Sequence, residues 1–268
     1  MGAGQQMTEQ INSKIKFDNV TKSFSNNGNK NDVILENLNF EIYAEEFVCI
    51  LGPSGSGKST ILGLIAGVVK PNTGKILFNS KEIQRPDSSR TLVFQEYVLF
   101  PWLNILENVA FGLTTKKLSA DEIKSKALKY LELVGLSTYK DYSISQLSGG
   151  MKQRVAIARA LAVEPEVLLL DEPFGALDQQ TRENMQTELL RLWTKTKKTL
   201  VFVTHSVDEA LKLADRILVV GGKPGKLLLD TTISLSRPRD FKNQQIVNVR
   251  NAILEKLSQP DLFMGSDI

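Results

Sequence analysis

The chain is poor in the residues that most often carry cross-links and metals: 268 residues hold one cysteine and one histidine. A single cysteine cannot form an internal disulfide, which fits a reducing compartment. Zinc clusters built on Cys and His are excluded on the same count. Long apolar runs are also missing. Ser59–Val69 and Leu200–Val207 are among the greasiest stretches, and both fall well short of the roughly 18 apolar residues of a membrane span. No charge of one sign dominates: 33 Lys+Arg face 30 Asp+Glu, which gives no electrostatic case for nucleic acid as a partner. Internal repeats and low-complexity tracts are absent. The opening MGAGQQMTEQINSK lacks the apolar centre of a secretory signal, and Gln6 stands where a myristoylation motif needs Ser or Thr. Residues 1–14 are therefore expected to be a flexible lead.

What remains is an ordinary globular composition, 42% apolar and 24% charged, long enough for one large domain with a subdomain. Ile15, Phe17 and Val20, then Leu38, Phe40 and Ile42, alternate with polar residues, the period of half-buried strands. Ser25–Asp32 between them reads as a loop by composition. The apolar run Phe47–Leu51 breaks into glycine-rich Gly52–Gly57 and then into a helical pattern, Lys58–Val69. Pro71–Gly74 marks a turn, followed by strand-like Lys75–Asn79 and Thr91–Phe94. From Pro101 to Ala162 helical spacing dominates. Ser119 and Glu122 form a capping box there, and Ile123, Ala127, Leu131 and Val134 share one face. Buried-strand signals return at Val167–Leu170, Leu200–Thr204 and Ile217–Val220, with a helix carrying Met185, Leu189, Leu192 and Trp193 inward between the first two. Strands alternating with helices imply a largely parallel sheet with crossover helices.

Gly52-Pro53-Ser54-Gly55-Ser56-Gly57-Lys58-Ser59 satisfies every fixed position of G-x-x-x-x-G-K-[ST] in strand–loop–helix context. Small residues let successive backbone N–H groups converge into an anion nest, and the following helix adds its positive end. Lys58 can reach β- and γ-phosphates, and the Ser59 hydroxyl can complete a Mg²⁺ shell. The bland alternative is a glycine turn without a ligand. Val167–Leu170 then delivers Asp171 and Glu172 to the carboxyl edge of the sheet, where α/β ligands sit. Asp171 can hold Mg²⁺ through water, and Glu172 can polarise a water for in-line attack on the γ-phosphate. Cys49 is assigned to the core, and Lys195–Lys198 to a solvated helix end.

Three further pieces follow in order: Gln95 after a strand, Leu147-Ser148-Gly149-Gly150-Met151-Lys152-Gln153 before a helix, and His205 ending a strand. With the P-loop and Asp171-Glu172 they make the sequence resemble the ATP-binding cassette (ABC) ATPases over about residues 15–235. The resemblance implies an α/β fold: a P-loop NTPase (RecA-like) core, an antiparallel β subdomain, a helical ABC subdomain at about 101–162, and a short C-terminal helical tail over 236–268. It implies ATP and Mg²⁺ as cofactors, held by Gly52–Ser59, Thr60 and Asp171. Gln95 corresponds to the Q-loop contact to Mg²⁺ and water, and His205 to the γ-phosphate contact. Ser148, Gly149 and Gly150 correspond to the signature loop that caps the nucleotide of the other subunit. Asp178, in Ala176-Leu177-Asp178, matches the loop across the dimer seam. Phe24 sits where the family stacks adenine; the alternative for it is a strand-end core residue. Met151 departs from the family's common Gln, and a thioether cannot replace an amide hydrogen bond.

The aromatic cluster Tyr97–Trp102 lies where transporter ATPases dock a coupling helix of the membrane subunit, with core packing as the competing reading. Gln95-Glu96-Tyr97, Leu99-Phe100-Pro101-Trp102, Asp171–Asp178 and Ser236–Asp240 resemble the nitrate/sulfonate/taurine (bicarbonate or pyrimidine-precursor) importer subgroup. The stretch after Asp230 is too short for the regulatory domain of sugar-type importers, and Gln244–Leu257 is expected to pack back as a helix. The resemblance thus implies an ATP-hydrolysing importer subunit, peripheral on the cytoplasmic face of the membrane. It would act as a homodimer or paired with a paralogous ATPase, with separate membrane subunits and a solute-binding protein. An exporter ATPase is the alternative. Soluble repair and translation ATPases are disfavoured, because the chain has neither a coiled-coil insertion nor a second cassette.

Overall fold

The computed structural model describes residues 13–26 and 30–258. Two sheets and their helices enclose two apolar clusters. The first is antiparallel, built from β1 (Ser13–Asn26), β2 (Lys30–Tyr43), β4 (Thr73–Phe78) and β5 (Lys81–Glu82) in the order β2-β1-β4-β5. The second holds β3 (Phe47–Leu51), β6 (Arg90–Val93), β7 (Val167–Asp171), β8 (Thr199–Thr204), β9 (Arg216–Gly221) and β10 (Lys226–Thr232), ordered β10-β9-β3-β8-β7-β6. Only the β9–β10 pair in it is antiparallel.

Alternation along β3 divides the interior in two, because successive side chains point to opposite faces. Val48 and Ile50 face α1 (Lys58–Ala66) and, beyond it, Phe17, Leu38 and Phe40 of the first sheet. Phe47, Cys49 and Leu51 face a helical layer. That layer contains α2 (Ile105–Ala110), α3 (Ala120–Leu133), α4 (Gly149–Ala162), α5 (Gln179–Thr196) and α6 (Val207–Leu213). α1 is thus wedged between two sheets, and Ile61, Leu62, Leu64 and Ile65 are all buried. Its greasy sequence reflects that position. Phe17 and Phe40 stack across β1 and β2 with centroids 4.3 Å apart.

Several boundaries differ from the sequence reading for local reasons. The expected lead, 1–14, ends earlier: Ser13 and Lys14 already belong to β1, and Lys14 pairs with Glu166; residues 1–12 lie outside the described residues. The Ser25–Asp32 loop is largely a hairpin end, with Ser25 opposite Asn31 and Asn26 opposite Lys30. A ladder is held by backbone groups, so polar side chains on an exposed hairpin do not end it. α1 stops at Ala66 because Gly67 adopts φ 81 and its N–H returns to Gly63 and Leu64 carbonyls. α4 starts at Gly149, inside the Leu147–Gln153 motif and not after it, because Ser148 caps it by accepting from Met151 N at 3.3 Å. The Ser119–Glu122 capping box is present at α3.

The tail carries α7 (Gln244–Leu257), which buries Ile246 and Ile253 and pairs Arg250 with Asp208 of α6 at 3.4 Å. Arg237 anchors the approach to it. Its guanidinium lies 2.7 Å from Asp215, donates to the Leu213 carbonyl at the end of α6, and sits 4.9 Å from the Trp193 ring centroid. Arg237→Leu leaves the Leu213 carbonyl without its donor and the Asp215 carboxylate with the Phe47 N–H alone. Urea unfolding is expected to show a loss of about 1–3 kcal/mol, with faster hydrogen exchange concentrated in α7.

Candidate functional site

Strand register brings the polar residues together. β8 lies between β3 and β7, with Leu51 opposite Thr204 and Asp171 opposite Val203. The chain therefore leaves three neighbouring strands at one edge as Gly52, His205 and Glu172. Parallel strands bury both faces and expose only their ends, which is why ligand chemistry gathers there.

The Gly52–Gly57 loop folds tightly enough that two glycines are obligatory. A Cβ on Gly52 would lie 2.0 Å from the Val220 carbonyl oxygen, and one on Gly57, at φ 89, would lie 2.4 Å from Leu35 Cδ2. Gly57 caps α1 without any side-chain hydrogen bond, so the amides of the first turn face outward as donors. Ser56 Oγ is buried without a partner. Lys58 is 5% exposed; its ammonium donates to the Pro53 carbonyl at 2.9 Å and stands 3.6 Å from Glu172 Oε1. Burial lowers its pKa, against the pull of Glu172 and Asp171. Ser59 Oγ donates to Asp171 Oδ1 at 3.2 Å. Burial raises the Asp171 pKa, and Glu172 adds to the rise while Ser59 opposes it.

Glu172 is the hub. Its Oε2 lies 3.0 Å from Nδ1 of His205, so an Nδ1–H donating to the carboxylate fixes the imidazole. Glu172 also adopts φ 41, a left-handed backbone that costs a non-glycine residue energy and is common where a side chain must be aimed. Gln95 lies just past β6; its amide nitrogen is 3.4 Å from where a Cβ of Gly175 would sit, against the loop that follows Glu172.

Other expected site residues stand apart from this cluster. Ser148, Gly150 and Met151 line a separate cleft of about 380 Å³ with Thr181 and Met185 of α5. Among the described residues no hydrogen bond or ion pair joins Ser148–Gly150 to the P-loop or to Asp171 and Glu172. Met151 packs its thioether against the core. Asp178 caps α5, accepting from Thr181 N at 3.0 Å, which lowers its pKa. Phe24 is 44% exposed with the Lys22 ammonium 4.7 Å from its centroid, so it is not a core residue. The Tyr97–Trp102 cluster is split. Tyr97 and Leu99 pack against the core, whereas Trp102 is 75% exposed.

A family model described as ABC transporter matches residues 35–175. The chain belongs to the ABC transporter ATP-binding proteins. It is 48% identical to an uncharacterised ABC transporter ATP-binding protein, MJ0412, of Methanocaldococcus jannaschii, over 91% of each chain. It is 40% identical to the aliphatic sulfonates import ATP-binding protein SsuB of Bacillus cereus, over 94% of this chain and 99% of that one. The taurine import ATP-binding protein TauB of Pseudomonas aeruginosa is 45% identical over 84% of this chain and 85% of that protein. Among solved structures, the dimeric post-hydrolysis ATP-binding cassette MJ0796 bound to ADP and Pi superposes with TM-score 0.72 at 36% identity, covering 83% of this chain and all of that one. This ABC chain is accordingly an ATP-binding ATPase of P-loop fold.

Sequence reading missed the residues that brace these motifs. Arg159 of α4 donates to the carbonyls of Val98 at 2.9 Å and Tyr97 at 3.3 Å, and lies 5.3 Å from the Phe100 centroid. Arg182 of α5 donates to the carbonyls of Phe174 and Leu177. Phe94 and Phe111 join Val98 and Phe100 around a mainly apolar cleft of about 250 Å³. Only Arg159's place in the same helix as the signature hinted at its role.

The raised Asp171 pKa has a testable consequence. A carboxyl whose folded pKa lies above its ordinary 3.8 contributes most to stability below that value and loses the contribution as pH rises through the folded pKa. At neutral pH its ionised form is a burden. Asp171→Asn, which keeps an acceptor for Ser59, is expected to raise the melting temperature of the nucleotide-free protein at pH 7.5. The gain should shrink as pH is lowered toward 4, as thermal melts across a pH series would read.

Proposed function

We propose that this chain is the ATP-hydrolysing subunit of an ABC importer for a small, anionic solute. The observation that carries the catalytic part is one cluster: Glu172 within 3.0 Å of His205 and 3.6 Å of Lys58, beside the Ser59–Asp171 pair at 3.2 Å. Ser54, Gly55, Ser56 and Gly57 cradle the phosphates through backbone N–H groups, with Gly52 and Pro53 shaping the turn into the loop, and Thr60 continues the donor set into α1. The partnerless Ser56 hydroxyl supports a polar ligand there. Lys58 exchanges its Pro53 carbonyl for β- and γ-phosphate oxygens, and the exposed Phe24 stacks on the adenine.

A hydroxyl and a carboxylate in contact form the oxygen donor set that suits Mg²⁺, so Ser59 and Asp171 fit that ion, with Gln95 as a further oxygen. When bound it supplies charge neutralisation on the β- and γ-phosphates. Glu172 takes a proton from the attacking water onto its carboxylate as the water oxygen bonds to the γ-phosphorus and the bond to ADP breaks. His205 holds Glu172 in line and contacts the γ-phosphate.

The separation of Ser148, Gly149 and Gly150 from the cradle in one chain supports a site completed by a second subunit. The dimeric MJ0796 relative supports it too. Two copies, or one copy and a paralogous ATPase, close over two nucleotides. Each then offers its Ser148-capped helix end to the other's γ-phosphate, with Asp178 at the seam. The relatives named for aliphatic sulfonates and taurine support a sulfonate- or taurine-like solute, within the nitrate/sulfonate/taurine/bicarbonate class that the sequence resembles. The solute is received by a separate binding protein and passed through membrane subunits. The cleft formed by Phe94, Val98, Phe100 and Phe111 beside exposed Trp102 fits an amphipathic helix of such a subunit. No helix among the described residues is long and apolar enough to cross a membrane. The chain would sit peripherally on the cytoplasmic face.

Glu172→Gln is expected to keep ATP binding and to lower turnover by at least about a hundredfold, and light scattering of that variant with ATP should show dimers. Isolated monomers hydrolysing ATP at full rate would refute the shared site. Phe111→Asp is expected to leave basal ATPase activity unchanged yet abolish co-purification with the membrane subunits.

A further inference from the structure

We infer that Glu209 is a positioning residue for hydrolysis, acting through Thr204 on the turn that presents His205. The inference rests on the proposed roles of Glu172 and His205. Thr204, the last residue of β8, is buried and donates its hydroxyl to Glu209 Oε2 at 2.6 Å. The same hydroxyl accepts from Ser206 N at 3.0 Å, and Glu209 N in turn donates to Ser206 Oγ at 3.3 Å. The His205 backbone is therefore clamped on both sides by one hydroxyl and one carboxylate.

The second oxygen of that carboxylate leads elsewhere. Glu209 Oε1 accepts from the amide of buried Gln186 at 2.9 Å, and Gln186 Oε1 accepts from Lys212 at 2.8 Å. Gln186 stands one turn beyond Arg182 on α5, on the same face. Arg182 grips the Phe174 and Leu177 carbonyls, in the loop leaving Glu172. One helix thus holds both walls of the Glu172–His205 pair: Arg182 the acid's loop, and Gln186 the histidine's turn by way of Glu209 and Thr204. A small cavity of about 50 Å³ lies between the walls, lined by Glu172, Phe174, Arg182, Thr204, His205 and Glu209. Phe174 belongs to the acid's wall; the histidine's wall is held by hydrogen bonds, so the polar chain behind it sets the 3.0 Å contact.

Because Glu209 bonds to Thr204 and Gln186 and not to the P-loop, its loss should move kcat and leave nucleotide affinity alone. Thr204→Val, which replaces the hydroxyl with a methyl, is expected to lower kcat by about tenfold to a hundredfold, the scale of a small misplacement of a reacting group. KM for ATP should stay within about twofold. Thr204→Ser restores the hydroxyl and should recover kcat. Glu209→Gln retains an acceptor for Thr204 but sets an NH2 against the Gln186 amide, so it should recover kcat in part, while Glu209→Ala should match Thr204→Val; this second pair carries the test if Thr204→Val does not fold. Full kcat in Thr204→Val or Glu209→Ala overturns the inference. So does a matched loss of kcat and nucleotide binding that Thr204→Ser and Glu209→Gln fail to recover. Wild type and Glu172→Gln serve as controls: a wild type without ATPase activity sinks the catalytic reading itself, whereas an active wild type beside a fully active Thr204→Val sinks only the positioning role.

Discussion

A buried ammonium with too little negative charge around it governs the rest of this structure. Lys58 is almost wholly out of water, yet its close partners are a neutral carbonyl and a carboxylate at 3.6 Å. Desolvating a cation costs several kcal/mol unless charge and hydrogen bonds replace the water, and the lowered pKa registers that cost. The strain is maintained because the lysine is fixed at both ends. Gly57 and the first turn of α1 set its backbone, and α1 itself is wedged between two sheets. A polyphosphate bound as proposed would supply the missing negative charge. It would relieve a state that the apolar surroundings of α1 impose, joining fold stability and ligand affinity at one side chain.

The raised Asp171 pKa is the complementary half of the same arrangement. A half-buried carboxylate ends β7 and a buried ammonium opens α1, but Asp171 is tied to Ser59 and Lys58 to Pro53 and Glu172, so neither fully neutralises the other. Register dictates this. With Leu51 opposite Thr204 and Asp171 opposite Val203, a one-residue slip in either pair would turn the terminal side chain to the other face. Continuous burial on both sides of β3, β7 and β8 prevents the slip. Core packing therefore sets where charge is left unpaired.

Local motifs were legible in the sequence because each performs its task within a few consecutive residues. The P-loop, Asp171-Glu172 and the Ser119–Glu122 capping box read directly, and β7 and β8 were found to within one residue because burial on both faces makes them continuous apolar runs. What escaped notice acts across long separations or at weak contrast. β10 is an edge strand of half-exposed residues, and α6 is too short to show a helical period. Thr204, Glu209 and Gln186 are unremarkable polar residues until two helices and a strand end bring them together. Arg159 looked like one more basic residue on α4. Its carbonyl contacts are set by the conformation of residues 97–98, which no spacing rule encodes.

That conformation ties the nucleotide edge to the apolar cleft. Val98 adopts φ 45, a left-handed backbone that a β-branched residue occupies only under constraint, at a cost of about 1–3 kcal/mol. The constraint is visible: Arg159 holds the carbonyls of Tyr97 and Val98, while the Tyr97 hydroxyl lies 3.3 Å from where a Cβ of Gly149 would sit. Gly149 and Arg159 belong to the same helix, whose capped end is the Ser148 loop. A movement of α4 therefore acts on residues 97–98 at two points, one near its first turn and one near its last. Residues 97–98 in turn follow Gln95 directly and carry Val98 into the wall of the cleft. A strained segment held by one rigid helix responds to that helix as a unit, since releasing either contact lets Val98 relax toward an ordinary backbone. The chain thus has a short, stiff path from the helix that would cap a neighbour's nucleotide to the surface that would receive a membrane subunit.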